Sequence, residues 1–414
     1  MEYGCIAERL GHSFSREIHA ALGGYPYELC EVKPEALDAF MRERNFKGIN
    51  VTIPYKGAVI PYLYSIDEQA KRIGAVNTIV NRDGQLYGYN TDFYGMKSMI
   101  EWMGLSLTDK KVAVLGTGGT SRTAKAVAEA MGAGEILWVS LNERDGVISY
   151  DSLYRDHTDT QILINTTPCG MYPHPEGRAV DVSVFPSLEG VVDAVYNPVR
   201  PRLVLDAQKR GIPAMGGLYM LVAQAVMASE IFLDTVYPAG TVERVFLPLL
   251  RKKENLVLIG MPGSGKSTVG KLLAKRLERQ FYDTDELIVE KAGMPIPEIF
   301  SRFGEARFRD LEAQVIEEFV AGRNGLVIAT GGGAVLRDEN CEALHRNGRL
   351  YFLDRPVEEL IPTDDRPLAS TVEAIRRRHA ERYGRYCDVA DVRIPVRGDA
   401  AWVAGEIGKD FEQL

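Results

Sequence analysis

The chain has 414 residues, 45% of them hydrophobic and 26% charged, with a formal net charge of −8. That length exceeds one typical core and implies two or three domains, while the acidic balance speaks against a nucleic-acid-binding surface. No apolar run is long enough to suggest a membrane span, the opening MEYGCIAERLGHSFS lacks the basic-then-apolar pattern of a secretion signal, and the scattered Cys5, Cys30, Cys169, Cys341 and Cys387 form no C-x-x-C pair, so a reducing cytoplasm is the expected compartment.

Residues 1–100 mix strand-like runs with helical patterns; Gly48-Ile-Asn-Val-Thr-Ile53 before Pro54 is one such run. Residues 111–215 alternate strand and helix: KVAVLG, a helix to Met131, EILWVS, QILINTTP and GVVDAVYNP. That alternation predicts a mostly parallel sheet covered by helices. Lys111-Val-Ala-Val-Leu115 is a short buried strand, and Gly116-Thr-Gly-Gly119-Thr120-Ser121 follows at a helix start. This is close to the dinucleotide fingerprint, with Ser121 where a third Gly or Ala is usual. The ribose-binding acid belongs some twenty residues on. There the chain reads Ser140-Leu141-Asn142-Glu143-Arg144, which leaves Glu143 and Arg144 as alternatives.

An ordered series of motifs surrounds the fingerprint. Ser13-Phe-Ser15, Asn50-Val-Thr52-Ile-Pro-Tyr-Lys56, Gly74-Ala-Val-Asn77-Thr and Gly88-Tyr-Asn-Thr-Asp92 precede it. Asn165-Thr-Thr-Pro-Cys-Gly-Met171, Asp193-Ala-Val-Tyr196-Asn-Pro198 and Gly217-Leu-Tyr-Met-Leu-Val-Ala-Gln224 follow it. The series resembles shikimate dehydrogenase and covers residues 1–235. The resemblance implies that Ser13, Ser15, Thr52, Asn77, Asp92 and Gln224 grip shikimate, and that Tyr196 lies near its carboxylate. It makes Lys56 and Asp92 the catalytic pair and gives Gly116, Gly118, Gly119, Thr120, Ser121 and Gly217 to the dinucleotide. The chemistry agrees. Hydride addition to a ketone builds negative charge on oxygen, which a lysine ammonium stabilises and protonates. Asp92 also suits a helix N-cap, and His12 and His19 read as incidental surface or helix histidines. The chain departs from the family at Arg16 and Ala20, and at Ser140-Leu141-Asn142, where Asn-Arg-Thr usually holds the NADP phosphate. NADP is the favoured cofactor, with NAD the alternative and Arg144 or Arg122 as compensating cations.

Residues 217–250 read as helix, whose apolar LYMLVAQAVMASEIFL packs on both preceding parts. The junction Arg251-Lys-Lys-Glu254 is short and charged, without a Gly, Ser or Pro spacer. Val257–Ile259 then meets Gly260-Met-Pro-Gly263-Ser264-Gly265-Lys266-Ser267-Thr268, a complete G-x-x-x-x-G-K-[ST] phosphate loop on a strand–loop–helix scaffold. The glycines let backbone N–H groups converge on phosphates at a helix N-terminus. Lys266 supplies charge for the β- and γ-phosphates of ATP, and Ser267 an oxygen for Mg²⁺.

Beyond the loop come Asp283-Thr-Asp285, Phe308-Arg309 with Glu312, Ala329-Thr-Gly-Gly332-Gly333, Arg366-Pro-Leu and Arg382-Tyr-Gly-Arg-Tyr386. In order and type these resemble shikimate kinase over residues 255–400. The resemblance implies that Asp285, Arg309, Gly332, Gly333 and Arg382 bind shikimate, that Asp283 lies near Mg²⁺, and that Arg366 is the lid arginine, in a lid shorter than the family's. Arg309 and Glu312, three apart on a helix, can pair, and Arg376–Arg378 read as a solvated helix face. The expected fold class is α/β: a substrate domain at 1–100, a Rossmann-like dinucleotide domain at 101–235, a junction at 236–254 and a phosphate-loop kinase domain with a parallel sheet at 255–414. The expected function is a bifunctional enzyme that reduces 3-dehydroshikimate and phosphorylates the shikimate formed. The alternatives are a quinate-preferring dehydrogenase joined to another small-metabolite kinase, and a non-catalytic metabolite-binding regulator.

Overall fold

A computed structural model describes residues 1–10, 14–360 and 371–413. The chain divides into two compact units, Met1–Asn197 with Pro201–Leu249, and Pro198–Arg200 with Leu250–Leu414. Ser13, His12 and Arg366 lie outside the described residues. Among the described residues no helix is long and apolar enough to cross a membrane.

The first unit holds two six-stranded sheets. One contains β1 (Tyr3–Ala7), β2 (Glu28–Glu31), β3 (Gly48–Val51), β4 (Ser65–Ile66), β5 (Thr78–Arg82) and β6 (Gln85–Tyr89), in the order β2-β1-β3-β5-β6-β4. Its β1–β2, β1–β3 and β4–β6 pairs are parallel and its β3–β5 and β5–β6 pairs antiparallel. The other contains β7 (Lys111–Leu115), β8 (Glu135–Ser140), β9 (Ile148–Ser149), β10 (Ile162–Asn165), β11 (Gly190–Asp193) and β12 (Ala214–Met215), all parallel, in the order β12-β11-β10-β7-β8-β9. The order reverses between β7 and β10, and a ligand crevice opens beyond the strand ends at such a reversal. Ile162, Leu163, Ile164 and Val112–Leu115 are fully buried, as helices on both faces of a parallel sheet require.

Residues 217–250 form two helices rather than one. Leu218–Leu233 ends where Asp234 turns left-handed at φ 50°, and Thr241–Lys253 begins after Gly240 at φ 82°. The apolar pattern runs across both and hides the break. Arg251, Lys252 and Lys253 of the junction form the last turn of the second helix, where positive charge suits the helix dipole. The N-cap of the helix Thr91–Trp102 is Asn90, whose side chain accepts from Phe93 N. Asp92 therefore stands inside the first turn, not at the cap.

The second unit has one parallel sheet of β13 (Asn255–Ile259), β14 (Phe281–Asp283), β15 (Val327–Ala329), β16 (Gly348–Asp354) and β17 (Val392–Pro395), in the order β14-β15-β13-β16-β17. Central β13 is buried at every position and delivers the phosphate loop to the helix Lys266–Arg276.

Candidate active sites

In the first unit, Lys56 follows the exit from β3, and Asp92 lies two residues into the helix that follows β6. Lys56 Nζ donates to Asp92 Oδ2 at 2.5 Å, both side chains being largely buried. Polar side chains from the surrounding strands, helices and turns hold this corner. Thr91 N donates to Asn77 Oδ1 at 2.7 Å, Asn77 Nδ2 to Thr91 Oγ1 at 3.1 Å, and Thr91 Oγ1 to Gln224 Oε1 at 3.3 Å. Tyr27 Oη donates to Asn50 Oδ1 at 2.6 Å, and Asn50 Nδ2 to Thr78 Oγ1 at 3.0 Å. Thr52 is half-buried at the strand exit, and Ser15 opens the helix Ser15–Leu22. Tyr196 is partly buried against Phe14, ring centroids 5.4 Å apart, and burial raises its phenol. His19 is no surface residue. Its ring stacks on Tyr27 at 3.7 Å and burial lowers it to about 3, so it is neutral.

The dinucleotide fingerprint comes to the same corner. A Cβ on Gly119, the first residue of the helix Gly119–Ala130, would stand 4.0 Å from Lys56 Cδ. Gly116 takes φ 104°, Gly118 is the N-cap, and Thr120 is half-buried. Ser121 is fully buried and its hydroxyl donates to Gly118 O at 2.7 Å, so it packs within the turn in place of the third glycine. Gly217 caps the helix Leu218–Leu233, where a Cβ would meet Ala194 O at 2.4 Å. After β8, Glu143 Oε1 accepts from Ser149 Oγ at 2.7 Å, which with the Ser149 amide lowers its carboxyl. Leu141 is 85% exposed where the family carries arginine, and Arg144 bridges to Val147 through its backbone.

In the second unit a cavity of about 530 Å³ runs from the phosphate loop to the helices that follow β14. Gly260, Gly263 and Gly265 all take positive φ, and Gly265 caps the next helix. Lys266 is buried, with Nζ donating to Gly260 O and Met261 O at 2.9 Å each. Ser264 is buried, and Ser267 and Thr268 line the cavity. Ser267 Oγ donates to Asp283 Oδ2 at 2.6 Å, and Asp283 Oδ1 accepts from Asp285 N at 3.0 Å. One carboxylate thus caps a helix and pairs with the loop hydroxyl. The neighbouring Asp285 points at the triple glycine, where a Cβ on Gly331 would stand 2.7 Å from its Oδ1.

Arg309 Nη1 donates to Glu312 Oε2 at 2.8 Å, as the three-residue spacing predicts, and Nη2 donates to Glu305 Oε1 at 3.1 Å. Glu312 is fully buried, and burial raises its carboxyl despite Arg309 beside it. Gly333 makes room for that arginine, since a Cβ there would stand 2.2 Å from Arg309 Nη1. Arg382 Nη1 donates to Gly332 O at 3.1 Å, and Tyr386 Oη donates to the same oxygen. A Cβ on Gly332 would meet Pro262 of the phosphate loop at 2.6 Å, so the two glycine stretches touch.

Two groups of lining residues escape the sequence reading. Ile296, Phe300 and Phe308 form an apolar wall, and the four-residue step between Ile296 and Phe300 is its trace in the sequence. Arg378 also lines the cavity, while Arg376 and Arg377 are exposed. The reading of all three as a solvated face is corrected at Arg378, which lies one turn before Arg382 on the same helix.

These features define an α/β enzyme with a dinucleotide-type oxidoreductase site and a phosphate-loop phosphotransferase site. The family profile described as shikimate kinase matches residues 262–412, and that described as shikimate dehydrogenase substrate binding domain matches residues 5–79. The shikimate dehydrogenase (NADP(+)) of Clostridium perfringens (strain 13 / Type A) is 37% identical over 263 residues, covering 59% of this chain and 96% of that protein. The crystal structure of a chorismate mutase/shikimate 5-dehydrogenase fusion from Clostridium acetobutylicum matches at 36% identity and TM-score 0.57, over 60% of this chain and 96% of that one. The shikimate 5-dehydrogenase of Thermus thermophilus in complex with NADP(H) and shikimate matches at 28% identity and TM-score 0.53, over 59% of this chain and 98% of that one. The chain belongs to the shikimate dehydrogenase family, and a shikimate kinase domain follows the dehydrogenase part.

Proposed function

We propose that the chain catalyses two consecutive steps on one cyclohexene acid: NADPH-dependent reduction of 3-dehydroshikimate to shikimate, then ATP-dependent phosphorylation of shikimate at its 3-hydroxyl. The observation that carries this reading is the presence, in one chain matched by both families, of two assembled sets of reactive groups. Lys56 is paired with Asp92 beside the dinucleotide turn, and Lys266 is seated in the phosphate loop beside Asp283 and Asp285.

In the first site, NADPH would supply hydride when bound. Lys56 stands ready to donate a hydrogen bond to the ketone oxygen and to deliver the proton as it becomes a hydroxyl. Asp92 fixes the ammonium. Ser13, Ser15, Thr52, Asn77 and Gln224 would hold the ring hydroxyls and carboxylate, with Tyr196 beside them. The glycine turn at 116–119, with Thr120, Ser121 and Gly217, would form the dinucleotide seat. NADP is named with the Clostridium perfringens and Thermus thermophilus relatives and is our first choice; Leu141 and the engaged Glu143 make NADH the comparison to run.

In the second site, ATP would supply the phosphoryl group and Mg²⁺ the charge that shields it. The donor set fits that ion: Ser267 Oγ and Asp283 Oδ2 are hard oxygens 2.6 Å apart, and Mg²⁺ takes few protein ligands beside phosphates. Gly260, Gly263, Ser264, Gly265 and Thr268 would cradle the phosphates and Lys266 would neutralise them. Asp285 would orient the acceptor hydroxyl, Arg309 and Arg382 would hold the carboxylate, and the backbone of Gly332 and Gly333 would face the ring. Arg366 would act from the lid. We assign residues 1–100 to substrate binding, 101–235 to the dinucleotide, 236–254 to the junction and 255–414 to the kinase.

Purified protein given 3-dehydroshikimate, NADPH, ATP and Mg²⁺, with NADH in parallel, tests both steps. Oxidation of the nicotinamide and appearance of shikimate 3-phosphate are expected. Nicotinamide oxidation with no ATP consumed would remove the second step; no oxidation with either nicotinamide would remove the first.

A further inference from the structure

The helix Val372–Val389 turns one stripe inward. Ile375, Arg382 and Tyr386 are buried, and Arg378 falls on that stripe, three residues after Ile375 and four before Arg382. Arg378 lines the kinase cavity. Its Nε is buried with no hydrogen-bond partner among the described residues, and no described carboxylate forms an ion pair with it. The other two arginines of this end are engaged, Arg309 by Glu312 and Glu305 and Arg382 by Gly332 O. Burial and the neighbouring Arg382 both work against the Arg378 charge, and its guanidinium is held below the usual arginine range. Arg378 as a whole is half-buried, so its guanidinium edge stands open to the cavity, where a charged hydrogen-bond donor suits an incoming anion.

The position of Arg378 selects which anion. The charges acting on it are those of Arg382, Glu305, Glu381 and Arg377. Arg378 stands one turn before Arg382, whose guanidinium donates to Gly332 O, so it belongs to the arginine end of the cavity.

Resting on the kinase reading above, we propose that Arg378 is a third binding arginine of this cavity, donating with Arg382 to the carboxylate of the ring acid and strengthening its grip on that anion. The test is steady-state kinase kinetics of the full chain carrying Arg378→Gln or Arg378→Lys, with shikimate and with its uncharged methyl ester. One charge-assisted contact predicts that the Gln variant raises the KM for shikimate about tenfold, with kcat and the KM for ATP within about threefold. The Lys variant recovers part of the loss, and the ester loses no more than about twofold between wild type and Gln, since it offers no charge to bind. A general packing defect would instead move ATP and the ester together with the acid. An unchanged KM for shikimate, or equal losses for acid and ester, overturns the proposal. Calorimetric titration of shikimate into the wild-type and both variant proteins decides the role of Arg378 independently of turnover. A wild-type protein that binds shikimate without phosphorylating it would overturn the kinase reading instead.

Discussion

Asp193 ends β11 fully buried, accepting hydrogen bonds from Asn165 Nδ2 and Val195 N, both at 2.9 Å on Oδ1, while its Oδ2 has no partner among the described residues. Burial outweighs those two donors and pushes the carboxyl from 3.8 up to about 7. The folded chain then keeps a proton that the unfolded chain releases, so this residue lowers stability as pH rises from about 4 to about 7, with no further loss above. His19 acts with the opposite sign. It is neutral when folded down to about 3, whereas the unfolded imidazole takes a proton near 6.5, so stability falls as pH drops through that interval. The two oppose each other between about pH 4 and 6.5. In Asp193→Asn only the histidine contribution of this pair remains, and urea midpoints of the first unit are expected to climb more steeply with pH across that interval than in wild type. Parallel profiles would show that Asp193 is ionised in the fold. The motif holding Asp193 was legible in the sequence; its isolation was not, because its burial depends on β10, which pairs with β11 from a distant stretch of the chain.

At the level of elements, the helix Ile296–Val315 carries both the apolar wall and Arg309, and it is bent at Gly304, where φ is 79° and ψ 174°. That region of backbone space is almost closed to residues with a Cβ, at about 1–3 kcal/mol. Nothing lies within 4 Å of a Cβ placed there, so the cost of Gly304→Ala is conformational rather than steric. The variant is expected to lose about 1–3 kcal/mol in the second unit, and to weaken shikimate binding, because Glu305, which braces Arg309, starts the next turn. Denaturant midpoints together with the KM for shikimate check this; an unchanged midpoint would mean that the kink relaxes freely. The sequence showed the phosphate loop, the triple glycine and the Arg309–Glu312 spacing because each is a local pattern with a local cause. It concealed the break after Leu233, since apolar residues continue across Asp234, and it concealed Arg378, since three consecutive arginines look alike until the helix has a buried face. It also concealed the capping role of Asn90, two residues before the equally suitable Asp92.

For the whole molecule, the two lysines proposed to act in the two sites belong to different compact units. Lys56→Ala is expected to cut dehydrogenase kcat about 10²–10⁴-fold, the usual worth of a positioned acid, and to leave shikimate phosphorylation unchanged. Lys266→Ala reverses the pattern. Assaying both reactions on both variants checks this separation, and a double loss in either would mean that the units depend on each other for their fold.

The helix Leu218–Leu233 also dictates an order of events as the chain leaves the ribosome. Its Phe232 occupies the space that Gly48 leaves open, a Cβ there standing 2.4 Å from the ring, and joins Tyr3, Cys5 and Tyr27 in one cluster, while its Gln224 reaches Thr91. Translation delivers the strands of the first sheet long before that helix, so a nascent chain halted ahead of residue 218 exposes an uncapped apolar seam. Such a seam invites chaperone holding or self-association. The strands that precede this helix in the chain are therefore among the later parts to be finished.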